Sequence, residues 1–230
     1  MMVSLGEFIY YDLFATKGME YIFVIGFLLS LPFYWRWIHT SYEGYGFENT
    51  SSFFPWFGLP DNLYYHRGHS WAYPEGNLIK VGIDDFAQKL IGKSTKIVLP
   101  RLGERLEQGE IGWRLNVDSK VIEAISPVKG EVVAINKKVL ENPEIINKDP
   151  YGEGWLMAVK PENLNTNLKN LLSGNLARLW LEESIEALRM KMKGDTGVVY
   201  QDGGMPVSGM AKALDQENWD KIVREFLLTE

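Results

Sequence analysis

NVDSKVIEAISPVKGEVVAIN, residues 116–136, is the stretch on which the fold of this chain turns. In KVIEAIS (120–126) the side chains alternate, with Val121, Glu123 and Ile125 on one face and Ile122 and Ala124 on the other. GEVVAIN (130–136) alternates again. A period of two marks extended backbone, in which successive side chains point to opposite faces. SPVKG between the two runs supplies Pro and Gly for a turn. The stretch therefore reads as two strands of a small β-domain, with Lys120 at the head of the first. A lysine so placed can carry a covalently attached lipoyl or biotinyl arm, which makes Lys120 the first candidate functional residue.

Working outward, NLIKVGI (77–83), STKIVLP (94–100) and GWLMAVKP (154–161) read as further strands. DDFAQKLIG (84–92) reads as a short helix, capped by Asp84 and stopped by Gly92. Many short strands with turns every eight to twelve residues predict a compact β-barrel or sandwich.

The bulk properties narrow the function. The chain has 230 residues and a net charge of −6, which argues against nucleic-acid binding through a broad basic surface. It has no cysteine, so disulfides, thiolate metal sites, protein-ligated iron–sulfur clusters and thiol nucleophiles are all excluded. His39, His66 and His69 are the only histidines. His66 and His69 fall in a loop or strand entry with no third ligand, so they read as structural rather than metal-binding. No P-loop or dinucleotide glycine spacing occurs.

The front of the chain differs in character. YIFVIGFLLSLPFYW (21–35) carries no charge. Extended to Gly18–Ile38, with Tyr21, Tyr34, Trp35 and Trp37 at the ends, Arg36 able to snorkel and Pro32 as a kink, it is expected to form one transmembrane helix. A cleaved signal peptide would want basic residues before the run and small ones after it. Here Glu7, Asp12 and Glu20 precede it and WRWIHT follows. A buried helix of the soluble core is the other reading. Arg36 after the run favours a body on the cytoplasmic side of an inner membrane.

Five stretches, in order, resemble the glycine-cleavage H-protein family: HSW (69–71), VGIDDFAQKLIG (81–92), IVLPRLGERLEQGE (97–110), ISPVKGEVVAIN (125–136) and NPEIINKDPYGEGWL (142–156). The resemblance covers about residues 63 to 170. It implies a barrel-sandwich hybrid, mainly β with added helices, with a lipoylated lysine at a hairpin tip. It also implies a mobile substrate for partner enzymes rather than an enzyme. In the family that lysine stands nineteen residues after the proline of the LP pair and seven before the serine of SPV. Counting from Pro100 and from Ser126 gives Ser119 both times. Ser119 therefore takes the arm position, Lys120 the next, and Asn116 replaces the family's glutamate. One residue of slip turns a side chain to the other face of a strand.

The C-terminal region departs from the family. GNLARLWLEESIEALRMKMKG (174–194) predicts an amphipathic helix with Ala177, Leu181, Ile185, Leu188 and Met192 inward and Gly194 as its stop. Packing on the β-body is its expected use; docking to a partner helix is the alternative. QDGG (201–204) suits a tight turn. LDQENWDKIVREFLLTE (214–230) predicts a closing helix capped by Asp215, with Trp219, Ile222, Val223 and Phe226 on its apolar face.

These readings give an N-terminal segment (1–40, span about 18–38), a linker lying on a surface (41–62), an H-protein-like domain (63–172) and a helical extension (173–230). The expected function is a non-catalytic, membrane-anchored scaffold subunit of a larger membrane complex, with no cofactor, other protein subunits as partners and the bilayer at its N-terminal helix. A redox complex is one candidate. The alternative is a membrane-tethered lipoyl carrier modified at Lys120.

Overall fold

The computed structural model describes residues 56–195 and 208–229, preceded by helical positions 21, 23–32 and 34, here α1. The chain divides into two units, Met1–Thr50 and Ser51–Glu230. In α1 the side chains of Phe23, Ile25, Phe27, Leu28 and Leu29 are all exposed. Among the described residues no helix is long and apolar enough to cross a membrane. The two ends of the expected span, 18–20 and 35–38, lie outside the described residues, as does the QDGG turn.

The second unit is built on two antiparallel sheets. The larger uses β1 (Tyr64–His66), β2 (Ser70–Glu75), β3 (Leu78–Ile83), β5 (Arg105–Leu106), β8 (Gly130–Ile135) and β9 (Met157–Pro161), in the order β1-β2-β3-β9-β8-β5. The smaller uses β4 (Lys96–Val98), β6 (Ile111–Val117) and β7 (Lys120–Ile125), in the order β4-β6-β7. Their inner faces bury Ile79, Val81, Leu115, Ile122, Val132 and Val159, with Trp71, Trp113 and Phe86 among the largest enclosed side chains. The alternation expected in β7 holds for Val121 (exposed), Ile122 (buried) and Ala124 (buried). Ile125 departs from it: it is buried, not outward with Val121.

The quoted motifs are structural. Trp71 of HSW donates its indole N–H to the carbonyls of Ile83 (3.0 Å) and Pro150 (3.1 Å). Its ring lies flat against Gly82, where a Cβ would sit 2.6 Å from the ring. Glycine is therefore required in VGID. Asp84 caps α2 (Asp85–Ile91) by accepting from the Ala87 N–H at 2.7 Å, and its other oxygen meets His69 Nδ1 at 2.8 Å. That pair is buried, with the imidazole stacked on Phe86 at 4.3 Å and against Trp180 at 4.5 Å. His66, ending β1, accepts the Gly68 N–H on Nδ1. Burial, then the neighbouring Arg67, holds its pKa down.

The segment before β1 is packed in place. Phe57 is buried against Phe86, and Gly58 donates to Asp85 at 2.7 Å. The Tyr151 hydroxyl bridges the Gly58 carbonyl (2.7 Å) and the Asp85 N–H (3.0 Å). Lys89 Nζ reaches the Trp56 carbonyl at 2.6 Å.

After β8 come short helices α3 (Lys137–Glu141) and α4 (Ile145–Lys148), and after β9 α5 (Leu164–Lys169). The long helix α6 (Gly174–Asp195) buries Ala177, Leu181, Ile185 and Leu188 as the spacing predicts, and packs Trp180 near Tyr65 and His69. It runs through Gly194, which is not its stop. The closing helix is shorter than expected: α7 (Met210–Leu214) precedes it, and α8 spans Trp219–Leu227. Asp215 does not cap α8. It ends α7, and its carboxylate instead folds the link by accepting from the Glu217 and Asn218 N–H groups. The N-cap position belongs to Asn218. An Asx-type turn competed with the cap and won.

Candidate functional site

Strands β6 and β7 form a hairpin whose last pair is Val117 with Lys120. The loop is therefore Asp118–Ser119. Asp118 takes the left-handed conformation (φ 52°), as two-residue hairpin turns demand of a loop residue. Ser119 is exposed at the tip. Lys120 is already the first residue of β7 and is half-buried. The one-residue slip read from the sequence thus separates a tip position from a strand position.

The amine of Lys120 is engaged. Its Nζ donates to the Glu217 carbonyl at 2.6 Å and to the Asp220 carboxylate. It also lies 5.4 Å from the centre of the Trp219 ring. Lys212 approaches the same ring at 5.1 Å and pairs with Asp118. Cations over an indole face are attracted by its quadrupole. The hydrogen bond from Lys120 holds the Asp220 carboxyl below its ordinary pKa.

The helices α7 and α8 thus bring Lys212, Glu217, Trp219 and Asp220 to the two sides of the turn. The sequence pattern puts Trp219 on an apolar face and gives no role to the other three. Lys120 is 97 residues from Glu217 and 100 from Asp220, and no local spacing reports a contact at that separation. Among the described residues no cluster of three or more His, Asp or Glu side chains is placed to hold a metal.

The model of the glycine cleavage H-protein family matches residues 63–184, just over half of the chain. This chain belongs to the glycine cleavage H-protein family. The glycine cleavage system H protein of Bacteroides fragilis is 44% identical over 114 residues, 50% of this chain and 90% of that protein. Its counterpart in Bacteroides thetaiotaomicron is 42% identical over 103 residues, 45% of this chain and 82% of that protein. The Thermus thermophilus protein is 37% identical over 106 residues, 46% and 83% respectively. As an H-protein-family member the chain has the lipoyl-type fold and is not an enzyme. The H-protein match ends within α6, so α7 and α8 lie beyond it.

The family carries lipoate as an amide on a lysine amine. At the tip of this H-protein fold stands a hydroxyl, that of Ser119, which cannot form that amide. The amine of the next residue, Lys120, is hydrogen-bonded to Glu217 and to Asp220 of α8.

Proposed function

We propose that this chain is a membrane-tethered, non-enzymatic H-protein-family subunit that does not carry lipoate and serves as a scaffold within a larger membrane complex. One observation carries the reading: Ser119 occupies the turn while the Lys120 amine is spent on Asp220 and Glu217. A carrier needs its amine free for acylation and its tip free to enter partner enzymes. The lipoate site, as folded, does not fit the group.

The membrane part rests on the uncharged run 21–35, its aromatic flanks and the exposed apolar side chains of α1. With Arg36 following it, the reading is a single-pass inner-membrane protein with segment 1–40 in and beside the bilayer, a 41–62 connection and a cytoplasmic body, 63–172 plus the extension 173–230. Partners are other protein subunits, a redox complex being one candidate.

Intact mass of the protein from its native host, with peptide mapping, tests this. An unmodified mass, in cells whose other carriers are lipoylated, is expected. A lipoyl increment on Lys120 overturns the reading in favour of the membrane-tethered carrier, which the family's own chemistry supports. Co-purification in mild detergent tests the subunit role: a stoichiometric partner is expected, and a chain that runs alone contradicts it.

A further inference from the structure

The helices beyond the family match grip the turn at several independent points. Gly209, at the start of α7, donates its N–H to the Lys89 carbonyl at 2.7 Å and lies against Gly92 at the end of α2. Lys212 of α7 holds Asp118, one of the two loop residues. Asp220 of α8 and the Glu217 carbonyl hold Lys120, the residue on the other side. Both lysines approach the Trp219 ring. Behind it Val223 and Leu227 are fully buried, and Phe226 packs on Phe86 at 5.3 Å. Lys191 of α6 pairs with Glu225 at 2.8 Å. α8 also packs beside β7, which is an edge strand of the three-stranded sheet.

Scattered ion pairs on a surface contribute little singly. Here the charged contacts fall on both flanks of one two-residue loop and converge on one buried indole. We propose that α7 and α8 form a lock on the β6–β7 turn, an intramolecular occupant that masks the amine of Lys120 and the sides of the tip from other proteins until the two helices undock. The occupant is this chain's own segment 208–229, seated there in the structure. The lock is independent of membrane attachment. It is also separable from the lipoylation state: a chain can be unmodified in its host with or without a masked lysine.

Timed acetylation of the intact chain with N-hydroxysuccinimidyl acetate, read by peptide mass, tests it. Lys96 and Lys137, both exposed, serve as internal references. Lys120 and Lys212 are expected to react about tenfold more slowly than the references, since a charge-assisted hydrogen bond must break first. Asp220→Ala is expected to bring Lys120 to the reference rate while leaving Lys129, paired with Glu107, unchanged. Should that variant loosen the whole body, Asp220→Asn keeps the shape and removes the charge. The decisive variant is remote: Gly209→Val strains the α7 entry (φ 86°) without touching either lysine, and it is expected to unmask both together. Lys120 reacting at the reference rate in the unaltered chain overturns the lock. So does unmasking by the Asp220 variants alone, with Gly209→Val silent, which would reduce the lock to a side-chain pair.

Discussion

Gly92 and Gly209 meet backbone to backbone, and a Cβ built on Gly92 would sit 2.9 Å from the Gly209 Cα. Both have left-handed φ, 88° and 86°. Gly92 combines its φ with a ψ of −154°, a region open almost solely to glycine. Gly92→Ala is therefore expected to lower stability by about 1–3 kcal/mol, read as a shifted urea midpoint with unchanged slope. Because the same contact seats α7 on α2, amide exchange in 208–215 is expected to accelerate more than in the strands.

The His69–Asp84 pair should be the most sensitive polar contact in the body. Both side chains are about 1% exposed, and the imidazole fills the space between Phe86 and Trp180. His69→Ala is expected to cost about 3–5 kcal/mol, since it strips one partner from a buried carboxylate and opens a cavity. Asp84→Asn should cost less, because an amide oxygen still accepts from the Ala87 N–H. Equal thermal-unfolding losses for the two variants would contradict this account.

Tyr151 offers a cleaner test. Burial, reinforced by the nearby Asp84, holds its phenol protonated far above the ordinary range, so it remains a donor. Tyr151→Phe removes the bridge between the Gly58 carbonyl and the Asp85 N–H. The expected loss is about 1–3 kcal/mol, with faster exchange at the Gly58 and Asp85 amides.

Asp220 sets a pH dependence. Its carboxyl titrates below the ordinary 3.8 because the Lys120 hydrogen bond favours the charged form. A depressed acid contributes stability that is fully present above the unfolded-state pKa and is lost as pH falls through the folded one. The α8 contact is thus expected to be constant from neutrality down to about pH 5 and to weaken only below the ordinary carboxylate range. Carboxyl chemical shifts of Asp220, followed with and without Lys120→Met, check both the direction and its cause. The Lys120→Met titration should move back toward 3.8.

Where hydrophobic period, turn residues and a cap all agreed, the sequence was legible. α2 begins after Asp84 and ends at Gly92 as its residues dictate, and α6 buries four of the five apolar positions its spacing picks out, with Met192 half-buried. The errors fall where two local options compete. Asp215 was equally suited to cap a helix or close an Asx turn, and the chain uses the turn. Gly194 weakens a helix without ending it once the preceding turns are anchored. At the site, counting along the chain separated Ser119 from Lys120, because register is a local property of paired strands. What holds Lys120 was not legible. Asp220 reads as an ordinary first-turn acid of α8, and only tertiary folding brings it to a lysine 100 residues earlier.

The segment ahead of β1 has a mechanical consequence. Arg178 donates from Nη2 to both carboxylate oxygens of Asp61 at 2.7 Å, and the Trp56 ring lies 4.9 Å from the Arg189 guanidinium. Lys89 and Tyr151 hold the backbone between them. A pull arriving from the N-terminal side meets α6, α2 and the β8–β9 connection before it loads a strand. Force entering at Trp56 must break these contacts with α2, α6 and the β8–β9 connection before it reaches the β1–β2 ladder.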